Sequence, residues 1–379
     1  MKIGIDASNL SSGGGITHLK NFIENASLFK ENFESIHIWT SKDTIKILPD
    51  EKWLKKHNPQ ILNQNIFLRS LWQIFLSKKD FEKADIDILF VPGGNYLGLY
   101  RPFVTMFRNL LPFSPNIISE YKSFIKRIKF RILKISQLKT FRSSQGLIFL
   151  TNFAKDHISS SLNLDNLNTI IIPHGTTNHF QKSNLLGKKN KKEDYLKLVY
   201  VSQFDVYKNQ TFVLKALNKL CKNRKDIKIE INFVGKKDFQ EYPKFRKSID
   251  DLDNLSVKVH GLENSEKVIE LIQKYDIGIF ASTCENLPNT LIEYMSVGLP
   301  IISSNFGPMP EILKDAGLYF NVSDQNSFIK SLEEMIYSQS LRDDLSKKAL
   351  EYSKQPSWEE CTSDTINFLK KIWKDFERV

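Results

Sequence analysis

The feature that most limits how this chain can fold is an alternation. Short runs rich in β-branched and aromatic residues are separated by longer stretches with helical periodicity. Continuous apolar runs of strand length suit strands covered on both faces, and intervening helices supply that cover, so the pattern predicts doubly wound parallel sheets. Strands are expected at residues 2–7, 35–40, 88–92, 103–107, 146–150 and 169–172, and again at 196–201, 228–234, 256–260, 277–281 and 300–303. Helices are expected at 210–220, 266–274 and 289–297. Between the two series, Gly187-Lys188-Lys189-Asn190-Lys191-Lys192 is a run of solvated charge that reads as a linker. The tail, 358–376, places Ile366, Leu369, Ile372 and Trp373 on one face of a helix. At 379 residues the chain exceeds one ordinary core. The expected organisation is an N-terminal domain 1–186, a linker 187–195, a second domain 196–356 and a closing helix 357–379 that packs back on the first domain.

Composition narrows the class. Hydrophobic residues at 41% and charged residues at 26% exclude wholesale disorder. The three cysteines, Cys221, Cys284 and Cys361, are too far apart for a disulfide framework or a zinc cluster, which points to a reducing compartment. Lys+Arg at 54 against Asp+Glu at 43 leaves +11, which favours an anionic partner. The opening Met1-Lys2-Ile3-Gly4-Ile5-Asp6 meets an acid before any apolar stretch, so no signal peptide is expected. No apolar run reaches the ~18–20 residues of a membrane span. The expectation is a cytoplasmic protein, soluble or resting on the inner face of a membrane.

Three stretches can carry chemistry. Ser11-Ser12-Gly13-Gly14-Gly15-Ile16-Thr17-His18 follows the first strand and opens a helix. Its glycines let backbone amides approach an anion at the helix N-terminus, or else form a plain flexible turn. It lacks the Gly-x-Gly-x-x-Gly spacing of a dinucleotide site, which disfavours an oxidoreductase. Cys284-Glu285-Asn286-Leu287-Pro288-Asn289-Thr290-Leu291-Ile292-Glu293 joins a strand to a helix whose first turn Pro288 marks. The amides of Asn289 and Thr290 can then meet a diphosphate, while Glu285 and Glu293, at different depths, can each accept a pair of hydroxyls. Equally, Glu285 could be a cap and Glu293 an exposed helix acid. In Val201-Ser202-Gln203-Phe204-Asp205-Val206-Tyr207-Lys208-Asn209, Lys208 sits where its ammonium can reach anionic oxygens, or is simply solvated.

Together these stretches resemble family 4 of the sequence-classified glycosyltransferases, which have the GT-B fold of two Rossmann-like domains facing across a cleft. The glycine loop, Ile172-Pro173-His174-Gly175, the lysine motif, Phe233-Val234-Gly235, His260-Gly261, the Glu285/Glu293 pair, Gly307-Pro308-Met309-Pro310-Glu311-Ile312 and the Ser357-Trp358 helix carry the likeness. The resemblance implies retaining transfer of a sugar from a nucleoside diphosphate. Glu285 would then bind the donor sugar, Glu293 the ribose, and Lys208 the diphosphate beside the Asn289 and Thr290 amides. Gly14, Gly15 and Gln203 complete the donor contacts, and no metal is required. Asp85-Ile86-Asp87 and Asp251-Leu252-Asp253 read as a strand lead-in and a helix end rather than metal ligands. This chain departs from the family in two places. Gln203 stands where an arginine is frequent, and Arg108-Asn109 where His-Asp is common, so Arg108 is either a catalytic-site residue or a surface arginine on a loop.

Residues 121–142 hold eight basic residues and no acid, with Phe124, Ile125, Ile128, Ile132 and Ile135 at helical spacing. Such a helix can rest on an anionic leaflet, or face a core with its basic side solvated. Aromatic stacking platforms are not interleaved with the charges, so nucleic acid is not an expected partner. His18, His174 and His260 are expected as structural histidines at loop–strand junctions, and Cys284 as a buried thiol. The reading is a hexosyltransferase acting on saccharide or lipid-linked saccharide acceptors in surface polysaccharide or lipopolysaccharide assembly. Its rival is a catalytically silent subunit that binds sugar nucleotide or a partner enzyme.

Overall fold

A computed structural model describes residues 1–10, 13–176, 195–261, 265–354 and 356–378. They form two compact units. The first comprises Met1–Phe113, Ile125–Gly175 and Pro356–Val379, and the second Ser114–Phe124 and Thr176–Gln355. Most of the expected linker, 187–194, lies outside the described residues.

The first unit is built on a seven-stranded sheet of order β3-β2-β1-β4-β5-β6-β7. Its strands are β1 (Lys2–Asp6), β2 (Ser35–Trp39), β3 (Leu54–His57), β4 (Ile88–Val91), β5 (Phe103–Met106), β6 (Gly146–Phe149) and β7 (Asn168–Ile171). The second unit holds a six-stranded sheet of order β10-β9-β8-β11-β12-β13. There the strands are β8 (Leu196–Val201), β9 (Ile229–Val234), β10 (Leu255–His260), β11 (Ile277–Phe280), β12 (Ile301–Ser304) and β13 (Leu318–Phe320). All named pairings are parallel. The expected pair of doubly wound sheets is therefore present. β4, β5, β6, β11 and β12 are buried at every residue, which is why they read as unbroken apolar runs.

Two strands escaped the sequence reading, β3 and β13, and both are sheet edges. β3 is Leu-Lys-Lys-His, with only Leu54 buried, and β13 is three residues long. An edge strand needs one covered face and one partner, so it carries little apolar signal.

In each sheet the order reverses once. β1 lies between β2 and β4, and β8 between β9 and β11, so two topological switch points open at the carboxyl ends of β1/β4 and β8/β11. Ligands of open α/β sheets bind at such points because loops there diverge to opposite faces.

One feature of the chain path was not expected. Ser114–Phe124 leaves the first unit for the second, where its helix Pro115–Glu120 packs on the turn Val206–Lys208. Gln240 clamps it from both sides, donating to the Glu120 carbonyl at 3.2 Å and accepting from the Lys122 amide at 3.1 Å. The closing helix Trp358–Glu377 belongs to the first unit and packs on the helix Gly14–Ala26. It starts on a capping box, in which the Ser357 side chain accepts from the Glu360 amide and the Glu360 carboxylate accepts from the Ser357 amide. Gly175 lets it in: a β-carbon there would collide with the Trp358 and Ser357 backbone.

Gly235, just past β9, is held against the Ser202 carbonyl at φ 155°, so a β-carbon would strike that oxygen. Backbone on both sides of this contact belongs to the sheet edge and cannot shift cheaply. Gly235→Ala is expected to lower unfolding free energy by about 2–3 kcal/mol, read by urea denaturation, whereas Gly261→Ala, whose β-carbon meets nothing within 4 Å, changes little.

Candidate functional site

At the β8/β11 switch point two loops are stitched together. After β8, Asp205 accepts from the Val206 amide at 2.8 Å and starts the single turn Val206–Lys208. Asn209 follows in the left-handed region at φ 55°, a conformation asparagine tolerates better than most residues. Its Nδ2 donates to the Tyr207 carbonyl at 3.1 Å and to the Ala281 carbonyl at 2.8 Å. The Thr283 amide donates to the Tyr207 carbonyl at 2.8 Å from the other loop. This stitching fixes Lys208 opposite Glu285.

Lys208 Nζ and a Glu285 carboxylate oxygen form a close ion pair, with only 12% and 14% of the two side chains exposed. The Tyr200 hydroxyl donates to the Lys208 carbonyl, and the Lys208 ammonium lies over the Tyr207 and Phe280 rings at 5.1 and 5.6 Å. Burial works to lower the lysine's proton affinity, but Glu285 and Tyr200 outweigh it, and the net shift is upward. Lys208 is a fixed cation at this edge.

The helix Asn289–Ser296 starts beside Glu285 with Pro288 as its cap and no side-chain cap bond. Leu291 and Ile292 donate to the Pro288 carbonyl, while among the described residues the Asn289 and Thr290 amides donate to nothing. They are the orphan donors of a helix N-terminus. Glu293, further in, is largely covered rather than an exposed helix acid, and burial pushes its carboxyl up to about 7. Gln203 donates through Nε2 to the Tyr207 hydroxyl at 3.3 Å, so it braces the loop that presents Lys208. Cys284, its thiol pushed up to about 12 by burial, lies 3.6 Å from Ser114 Oγ of the crossing segment. Neither Tyr207 nor Ser114 carried a sequence signal, because both owe their place to long-range packing.

In the first unit, Gly13 caps the helix Gly14–Ala26 at φ 67° with no side-chain cap bond. Ile16 and Thr17 donate to the Gly13 carbonyl; the Gly14 and Gly15 amides make no described bond. Arg108, beyond β5, is brought to this turn, with its Nη1 3.8 Å from where a Gly15 β-carbon would stand. Arg108 is a loop residue of intermediate exposure whose Nη1 is sealed from solvent, and burial pulls the guanidinium down to about 10. The first unit thus gathers Gly14, Gly15 and Arg108, and the second gathers Gln203, Lys208, Glu285, Asn289, Thr290 and Glu293.

His18 lies inside the helix rather than at a loop junction, fully buried and stacked on His174 at 4.9 Å between ring centroids. Trp358 covers both rings at 5.9 and 5.6 Å. Burial, then the neighbouring His174 and Arg108, hold His18 neutral. His260 bonds Asn232 Oδ1 at 2.6 Å and is structural. Asp85 and Asp87 both engage Lys2, tying the lead-in of β4 to β1. Among the described residues no three His, Cys, Asp or Glu side chains gather as metal ligands.

The basic helix Phe124–Ser143 buries Gln137, Thr140 and Phe141, and its apolar stripe faces out. Phe124, Ile125, Ile132 and Ile135 are 61–69% exposed, which overturns the core-facing alternative. The helix Ile66–Phe75 adds exposed Ile66, Phe67 and Phe75. Gln73 and Ser136 anchor the two helices to one residue, Asn95. No described helix is long and apolar enough to cross a membrane.

The two doubly wound units and their switch points define a fold of the GT-B type, the architecture of glycosyltransferase structures. Residues 181–352 match the family described as glycosyl transferases group 1. The chain is 33% identical over 94 residues to the O-antigen chain mannosyltransferase B of Escherichia coli, an alignment covering 25% of each protein. It is 27% identical over 243 residues to the capsular polysaccharide biosynthesis glycosyltransferase CapH of Staphylococcus aureus, covering 62% of this chain and 63% of that protein. The chain therefore spans between a quarter and just under two thirds of these curated relatives. The Anabaena protein HepE, solved with UDP and glucose, superposes with a TM-score of 0.67 at 15% identity, over 98% of this chain and 99% of that one.

Glu293 gives the site a pH signature. A raised carboxyl pKa means the folded state holds its proton more tightly, so stability is lost as pH rises from the usual carboxylate range through about 7. Glu293→Gln is expected to unfold at a higher temperature than wild type at pH 8, with the gap closing by pH 5, in paired thermal melts. Where Glu293 accepts ribose hydroxyls, nucleotide affinity rises through the same pH window in wild type and stays flat in the variant.

Proposed function

We propose that this chain is a retaining glycosyltransferase that moves a hexose-type sugar from a nucleoside diphosphate to a saccharide or lipid-linked saccharide acceptor in surface polysaccharide or lipopolysaccharide assembly. The observation that carries the reading is the buried Lys208–Glu285 pair at the β8/β11 switch point, beside the free amides of Asn289 and Thr290. The relatives named for O-antigen and capsular polysaccharide support the biological setting.

On this reading the resting ion pair opens when donor arrives. Lys208 turns to the diphosphate, joined by the two amides, and Glu285 is released to accept hydroxyls of the donor sugar. Glu293 takes the ribose. As the bond between anomeric carbon and phosphate oxygen breaks, its electron pair passes to the diphosphate. The acceptor hydroxyl bonds the anomeric carbon from the same face and gives its proton to the departing phosphate. The charge that grows on the leaving group is greatest in the transition state, where a fixed ammonium and two fixed amides stabilise it most. These groups serve in place of a divalent cation.

Lys208→Ala is expected to weaken UDP or GDP binding at least tenfold and to lower kcat by about 10²–10³, with wild-type turnover indifferent to EDTA. Calorimetry and a donor-hydrolysis assay check both. Nucleotide binding by wild type without any turnover, together with no effect of Glu285→Gln, would instead support a silent binding subunit.

The proposal extends to the inner face of the membrane. The outward apolar stripe of the basic helix and the exposed Phe67 and Phe75 suit insertion at a headgroup boundary, with each lysine or arginine near an anionic surface contributing about 1 kcal/mol. Vesicles of 30% anionic lipid are the probe, a composition of roughly physiological charge (about −30 mV at the surface). Wild type should sediment with them and be released by salt, while Ile132→Glu/Ile135→Glu should stay in the supernatant with an unchanged melting temperature.

A further inference from the structure

A groove on the second unit takes no part in the site described above. Its volume is about 510 Å³, and its lining is polar throughout, with Lys215, Asn218, Lys219, Lys222, Lys247 and Asp250 as the members that matter. A lining without apolar side chains does not suit an apolar ligand. The helix Gln210–Asn223 supplies Lys215, Asn218, Lys219 and Lys222, and their spacing of three and four residues puts them on one face. This helix joins β8 to its parallel neighbour β9, so it runs back toward the amino edge of the sheet. The groove therefore lies away from the edge that carries the Lys208–Glu285 pair.

Charge in the groove is one-sided. Lys215 and Lys219 stand at i,i+4, and Lys219 and Lys222 at i,i+3, pairings of like charge that destabilise a helix. The helix holds no acid to offset them. Asp250, the carboxylate of the lining, is taken by Lys222 at 2.6 Å. Lys219 reaches a neutral oxygen, Asn326 Oδ1, at 2.8 Å. Lys215 and Lys247 are exposed, and neither pairs with a carboxylate among the described residues. Between these lysines stands Asn218, only 6% exposed. Its Nδ2 donates to the Ser248 carbonyl at 2.8 Å, which fixes the amide, while its Oδ1 is sealed from solvent and accepts from no described donor. A buried acceptor without a donor is costly.

We propose that this groove binds a soluble small molecule carrying two or more phosphoryl groups together with a hydroxyl or amine. Phosphoryl oxygens accept charge-assisted bonds from Lys215, Lys219 and Lys247, whose flexible stems let three ammonium groups converge on one ligand. The hydroxyl or amine supplies the donor that Asn218 Oδ1 lacks. The volume falls in the range of small-ligand sites, roughly 300–1,000 Å³. This is a second anion site, and it does not rest on the glycosyl-transfer reading.

Fructose 1,6-bisphosphate, two phosphoryl groups on a polyol, is the probe. Calorimetry should show a single saturable site in wild type. Lys215→Gln/Lys219→Gln should weaken binding about tenfold or more, through loss of charge-assisted contacts. Without ligand the same variant should melt no lower than wild type, because it relieves like-charge pairs. Asn218→Leu should weaken binding roughly fivefold, and Lys208→Ala should bind as wild type does. Bound ligand should shield Lys215, Lys219 and Lys247 from acetic anhydride, read by mass spectrometry, while the exposed Lys79 of the first unit stays reactive. No binding by wild type overturns the proposal. Binding that survives Lys215→Gln/Lys219→Gln, or that shields Lys79 equally, overturns it as well. A loss confined to Lys208→Ala gives the ligand to the β8/β11 site instead. Unchanged affinity in a folded Asn218→Leu removes the Asn218 contact. Random-sequence DNA or phosphatidic acid vesicles held through Lys215 and Lys219, with the bisphosphate unbound, would make the occupant a nucleic acid or a membrane and sink the small-molecule assignment.

Discussion

Parallel pairing governs this molecule. A strand cannot turn directly into a parallel neighbour, so each must cross over through a covering segment and re-enter from the same side. All carboxyl ends of a sheet therefore gather along one edge, and where the strand order reverses, neighbouring crossovers go to opposite faces and leave a gap. Both sheets reverse once, at β1/β4 and β8/β11. Lys208 and Glu285 stand in the two loops that leave the second of these gaps.

The two gaps hold charge differently. At β8/β11, Lys208 meets Glu285 in the unliganded protein, so neither buried charge is left alone. On the proposed reading ligand entry there is an exchange of partners, and the cost of burying charge is already largely offset. Near β1/β4, Arg108 is partly exposed, and its Nη1 alone is sealed from solvent beside a helix N-terminus. The stack of His18, His174 and Trp358 beside it ties the closing helix to the same edge.

Legibility in the sequence followed burial. β11, Ile-Gly-Ile-Phe, and β4, Ile-Leu-Phe-Val, are covered on both faces and leave an unbroken apolar record. β3 and β13 are edge elements with half the cover, and their residues look like loop. Ser357-Trp358 and Gly175 stood out in the sequence only as parts of a family likeness; the structure gives them physical roles, a capping box with Glu360 and a close backbone approach. The crossing of Ser114–Phe124 into the second unit left no trace, since its contacts with Gln240 are more than a hundred residues away in sequence.

The sequence by itself determined the two doubly wound sheets, the helix-opening positions of Gly14 and Asn289, and the presence of an apolar stripe on a basic helix. Periodicity, glycine and proline placement are local quantities, and these features depend on nothing else. Only the tertiary structure decided that the stripe faces outward, that Glu293 is largely covered, and that Lys208 pairs with Glu285. Burial and charge pairing are set by which distant loops meet at a switch point, and no residue's own neighbours in the chain carry that information.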